Sequence, residues 1–192
     1  MSVVIEDLPA LMWHAELGRS LEDLWSGTRQ RGVQLHDLRA AVGVWASKYG
    51  QRAWLRQLEH PPLPGLDDAV LRTIARLDGT PFPSTARLAG RWLGGRLPAV
   101  RGRLPAVRRG GRARGAGPAV SQEVTLETAY CAEVIAVTYQ AMGLLSSRHR
   151  PNWYDAGRFW SGDDLDLLAG ARLGGEIAVD IPPAADRPAR RR

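Results

Sequence analysis

The stretch GRLPAVRGRLPAVRRGGRARG, residues 95–115, divides the chain. It prints one heptapeptide, Gly-Arg-Leu-Pro-Ala-Val-Arg, twice and then runs into arginine and glycine. Pro98 and Pro105 interrupt any helix. Gly110, Gly111, Gly115 and Gly117 raise the entropic cost of fixing the backbone. Leu97, Val100, Leu104 and Val107 are too few to bury a face. By composition this is a flexible linker, and the rest of the chain must build its structure on either side of it. The expected organisation is a helical domain over 1–94, an Arg/Gly/Pro-rich linker over 95–119, a small α+β module over 120–183 and a basic tail over 184–192.

Charge follows the same division. Residues 1–78 hold ten acids and nine bases, residues 79–122 hold nine arginines and no acid, and residues 123–186 hold ten acids and four arginines. The tail adds four arginines, and the net charge is +6. All but one of the 26 basic residues are arginine, which GC-rich codon usage explains, so the position of the arginines is more informative than their type. The doubled heptapeptide has two readings. Tandem duplication is tolerated where structure makes no demand. Alternatively, the copies offer paired guanidinium groups to a polyanion, with Arg96, Arg101, Arg103, Arg108, Arg109, Arg112 and Arg114 as the contacts.

The bulk numbers exclude several classes. Hydrophobic residues make up 44% and charged residues 24%, the balance of a folding chain. Cys131 is the single cysteine, so no intrachain disulfide forms, and its apolar setting predicts an inert buried thiol. The N-terminus lacks the basic and apolar regions of a secretory signal. The longest apolar run, near 132–145, is broken by Glu133, Thr138 and Gln140, which argues against a membrane span. The expected location is the cytoplasm.

The periodicity predicts a mainly α fold: an N-terminal helical bundle, the basic linker, and a C-terminal module with a buried helix and a β-hairpin. Leu8, Leu11, Met12 and Ala15 share a helical face, and Ser20 with Asp23 resembles a capping box before Leu21–Trp25. Leu35, Leu38, Val42, Trp45 and Tyr49 form an apolar stripe that breaks at Gly50. A further helix is expected to Glu59, another from Asp67 or Asp68 to Leu77, and a short one over 84–92. Ala46 and Gly50 invite a helix-turn-helix reading, but Arg56 falls on its core position, which favours a plain bundle. Residues 120–146 predict a buried helix, although the β-branched run Val134–Thr138 leaves a strand open. Alternation around Leu165–Leu167 and Ile177–Ile181 predicts the hairpin, with one acidic wet face and an edge free for self-association.

No catalytic signature is present. His14, His36, His60 and His149 show no ligand spacing, and Asp163, Asp164 and Asp166 lack a calcium-loop pattern, so neither a metal nor another cofactor is expected. Trp153, Tyr154, Phe159 and Trp160 lie among arginines and can stack on bases or close the edge of a core. The function expected is a non-enzymatic binding protein whose linker and tail hold a polyanion, nucleic acid first, without sequence specificity. The alternative is an assembly subunit that forms a homo-oligomer through its acidic module, hairpin edge and basic linker. An enzyme whose site assembles from distant residues stands third.

Overall fold

The structure, a computed structural model, describes residues 1–3, 9–82, 131–163 and 165–181. In chain order its elements are β1 (Ser2–Val3), β2 (Leu11–Glu16), β3 (Gly32–Asp37), α1 (Leu38–Tyr49), β4 (Ala53–Glu59), α2 (Leu66–Leu77), α3 (Cys131–Ala141), two short 3-10 turns (Pro151–Trp153 and Ala156–Phe159) and β5 (Arg172–Val179). β1, β2 and β3 form one antiparallel sheet, and β4 and β5 form a separate antiparallel ribbon. The fold is therefore small α+β, which corrects the mainly α expectation and its N-terminal helical bundle. The linker arginines Arg96, Arg101, Arg103, Arg108, Arg109, Arg112 and Arg114, the helix expected over 84–92 and the tail lie outside the described residues.

β2 shows why the bundle reading fails. Its apolar residues at 11, 12 and 15 satisfy a helical face, but Leu11, Trp13 and Ala15 also satisfy a strand face. Pairing with β3 decides between them, through Leu11↔Asp37, Trp13↔Leu35 and Ala15↔Val33. The segment expected as a helix at Leu21–Trp25 is a turn that seals the outer edge of β3. Leu35 N donates to Asp23 Oδ1 at 2.6 Å, and Leu24 N donates to Leu35 O at 2.7 Å. Further along that edge, Val33 N donates to Thr80 O at 2.9 Å and Gly79 N to Val33 O at 3.0 Å. Asp23 is thus a substitute strand partner, and an edge that would invite another chain is closed.

The helical stripe is real from Leu38 onward, whereas Leu35 belongs to β3. Asp37 caps α1 by accepting a hydrogen bond from Ala40 N at 2.7 Å, and Gly50 ends it in the left-handed conformation with φ 63°. A strand follows, so there is no helix-turn-helix here. The segment expected as a helix to Glu59 is β4, whose partner β5 lies far downstream. For the same reason the expected C-terminal hairpin is absent: β5 pairs with β4, and Leu167 is buried in the core.

α3 joins the two halves of the core. Val134 and Val137 pack with Leu11, Trp13, Val33 and Leu35 of the sheet and with Val70, Ile74 and Leu77 of α2. Ala136 and Tyr139, on another face of α3, pack with Leu144, Leu145, Tyr154 and Leu167, and the half-buried Leu58 and Leu173 of the ribbon lie against them. Trp13 is fully buried, and its Nε1 donates to Thr138 Oγ1 at 3.3 Å. The run Val134–Thr138 is helix, and Cys131 at the start of α3 is exposed, which corrects the expected buried thiol. Segments before and after the arginine-rich stretch therefore pack together and pair in one ladder.

Candidate functional site

The two faces of the β1–β3 sheet differ in chemistry. Odd-numbered positions of β2 and β3 supply the apolar core, and even-numbered ones place Met12, His14, Glu16, Gln34 and His36 on the opposite face. α1 shelters that second face, and the edge of the Trp45 ring meets His14 at 5.3 Å between centroids. The register sets Met12 opposite His36 and His14 opposite Gln34, so the two histidines are diagonal neighbours. His14 Nε2 lies 3.0 Å from His36 Nδ1 and 4.0 Å from Glu16 Oε2.

This layer is buried and polar. Among the described residues, the buried His36 Nε2 and Gln34 Oε1 have no hydrogen-bond partner, while Gln34 Nε2 donates to Gly32 O at 3.3 Å. An unmet buried polar group costs about 1–3 kcal/mol. Burial, then His36, then the amino terminus push His14 down to about 3 against an opposing pull from Asp23. Burial likewise lowers His36 against Glu16 and Asp23. Both imidazoles are neutral at neutral pH, the form that ligates metals. His14, Glu16 and His36 are the group of described residues whose donor atoms converge closely enough to hold an ion.

Sequence spacing missed this cluster because the two histidines are 22 residues apart in chain order. The usable signal was His-x-Glu at 14–16 and Gln-x-His at 34–36, two polar alternations inside apolar segments. It becomes readable only once both segments are known to be strands.

A second group of ionisable residues lies on the far edge of β3. Burial raises the Asp23 carboxyl, but hydrogen bonds from Ser26 and from the backbone of Leu35, Ser26 and Trp25 outweigh it and hold Asp23 below its usual range. Burial and the neighbouring Asp23 charge push Asp78 up to about 6. Gln30 Nε2 bridges them, 3.3 Å from Asp23 Oδ2 and 3.4 Å from Asp78 Oδ2. Asp23 spends its oxygens on holding the turn and the strand edge, which is a structural task.

The aromatic segment is partly committed to packing. Tyr154 is buried, and Phe159 is half-buried with its ring edge-on to Tyr139 at 6.2 Å. The Trp153 ring already has His149 stacked at 4.1 Å and the Arg158 guanidinium at 4.3 Å. Of these four aromatics Trp160 is the exposed one, at 58%. Asp163 pairs with Arg158 at 3.2 Å. Between α1, α3 and the ribbon lies a mostly apolar cavity of about 1060 Å³. Arg56 on its wall gives its hydrogen bonds to the carbonyls of Gly174, Phe159 and Leu173 at 2.7, 2.8 and 3.1 Å.

Among the described residues no helix is long and apolar enough to cross a membrane. No family model matches the chain, and neither a curated protein nor a solved structure shows significant similarity to it.

Proposed function

We propose that this is a non-enzymatic binding protein whose arginine-rich segment and basic tail hold a polyanion, nucleic acid first, without sequence specificity. The observation that carries this reading is the uneven distribution of charge along the chain. The described residues carry fourteen acids against thirteen bases. Residues 79–122 carry nine arginines and no acid, so the excess positive charge is concentrated in that segment and in the tail. Phosphate neutralisation by such a segment releases counterions, and affinity then falls steeply with salt. Arg148, Arg150 and Trp160 are each exposed, and they offer positive charge and a ring face for phosphates and unstacked bases.

The test is retention of the nucleic-acid-free protein by a mixed-sequence RNA or DNA at two salt concentrations. The expected result is binding at low salt that weakens at least about tenfold over a fourfold rise in salt. Replacing the nine arginines of residues 79–122 with serine removes most of that binding and flattens its salt dependence. Equal binding by the variant, or no binding by the wild type at low salt, defeats the reading.

The ribbon favours a second reading, self-association into an assembly. Leu55, Ile177 and Val179 share one face of β4–β5, and they are 44%, 54% and 40% exposed. Trp54 on the other face is 52% exposed. Among the described residues the outer edges of β4 and β5 have no further strand, so a second copy can pair edge to edge and cover the apolar face. Measured mass in solution above that of one chain, lowered to one chain by Ile177→Glu, supports this arrangement. A monomer at every concentration removes it.

A further inference from the structure

We propose that His14, Glu16 and His36 form a binding site for one divalent transition-metal ion of the zinc class. One ligand atom from each of these side chains lies within 4.8 Å of the other two. A tetrahedral ion held at about 2.0–2.2 Å by nitrogen and oxygen sets neighbouring ligand atoms roughly 3.3 Å apart. The 3.0 Å separation of His14 and His36 and the 4.0 Å separation of His14 and Glu16 bracket that spacing. The ligands sit on two adjacent strands in fixed register, so side-chain rotation alone brings them onto an ion.

A pair of hydrogen-bonded core histidines is the plain alternative. It accounts for the 3.0 Å contact, because one ring donates and the other accepts. It leaves two things unexplained. Gln34 Oε1 has no partner among the described residues, although Gln34 is fully buried. It also gives no reason for Glu16 to bring a carboxylate within 4.0 Å of His14 Nε2. Gln34 sits directly opposite His14 on the same face, with its amide nitrogen anchored on Gly32 O. That anchoring leaves Oε1 as the oxygen donor available to complete four-coordination.

Imidazole and carboxylate together suit zinc and its first-row neighbours better than calcium or magnesium, which take oxygen. The site is closed: His14 and His36 are buried and α1 covers their face. An ion here cross-links β2 to β3 beneath α1, a structural role rather than a reaction centre. This inference is independent of the polyanion reading, since none of its residues lies in the arginine-rich segment.

The experiment uses the full chain, stripped with a chelator, and titrates Zn²⁺ alone against a chromophoric competitor. A parallel Co²⁺ titration reads coordination from its visible absorption. The expected result is one ion per chain, a visible Co²⁺ spectrum of tetrahedral type, and a melting temperature raised by Zn²⁺. Glu16→Gln, at a half-buried position, keeps the fold and weakens Zn²⁺ binding at least about tenfold. His14→Gln with His36→Gln removes binding, and where that double variant does not fold, the Glu16→Gln comparison decides. A double variant of the exposed histidines, His60→Ala with His149→Ala, binds as the wild type does. No stoichiometric Zn²⁺ binding by the wild type overturns the proposal. So does unchanged affinity in Glu16→Gln, or loss of binding in the His60 and His149 variant.

Discussion

Single residues in this protein are set by partners that sequence neighbours do not reveal. Asp23 looks like a helix-capping residue and is the substitute edge of a strand, with its oxygens on Leu35 N and Ser26 N. Its charge is the second cause, after burial, that raises Asp78 to about 6. The sign of the resulting pH effect is fixed. The folded state holds a proton on Asp78 that the unfolded chain, with the usual value of 3.8, has already released. Stability therefore falls as pH rises between about 4 and 6, with Asp23 and Gln30 the groups facing Asp78. Asp78→Asn is expected to raise stability near pH 7 by up to about 1 kcal/mol after allowance for solvent screening, and to change little at pH 4. Chemical denaturation of both proteins at the two pH values measures this, and equal gains at both argue against the carboxyl pair as the cause. Gly32 illustrates a different constraint: its φ is 110°, and a Cβ there would fall on the Thr80 carbonyl that pairs with Val33. Only glycine lets the strand start this close to the loop after α2.

At the scale of elements, the legible ones were those specified by local chemistry. α2 carries its own amphipathic face, with Val70, Ile74 and Leu77 buried and Asp67 and Asp68 in its first turn. α1 has an N-cap at Asp37 and a left-handed stop at Gly50, both within or beside its own sequence. Asp37→Ala is expected to cost about 1 kcal/mol, seen as a fall of roughly 2–4 °C in melting temperature. Because α1 covers the His14–His36 layer, the same change should increase hydrogen exchange along α1 before it does so in α2. An unchanged melting temperature would show that tertiary packing alone holds α1. The strands were not legible for a corresponding reason. β4 is short and apolar at 54, 55 and 58, a pattern that fits either period, and its partner lies across the arginine-rich segment. A strand is a statement about a neighbour, and neither β4 nor β5 has its neighbour nearby in sequence.

On the scale of the whole molecule, α3 is the element that makes one body of the chain. Val134 and Val137 complete the core over β2 and β3, and Tyr139 completes the core beside the ribbon. A fragment of residues 1–94 lacks α3 and β5. It leaves Trp13, which is 0% exposed in the fold, uncovered on one side, and it leaves β4 unpaired. That fragment is expected to show no cooperative melt by circular dichroism, and adding a fragment of residues 120–192 should restore one; independent folding of 1–94 would refute the shared core. From sequence alone came the charge map, the single cysteine, the helices α1 and α2, and the buried helix at α3, because composition and a helix's own periodicity are local properties. Tertiary structure decided the strands, the exposure of Cys131, the closed edge at Asp23 and the meeting of His14, Glu16 and His36. Each of those depends on which distant segment lies alongside, and β-pairing and side-chain convergence carry no signature until the partner is in place.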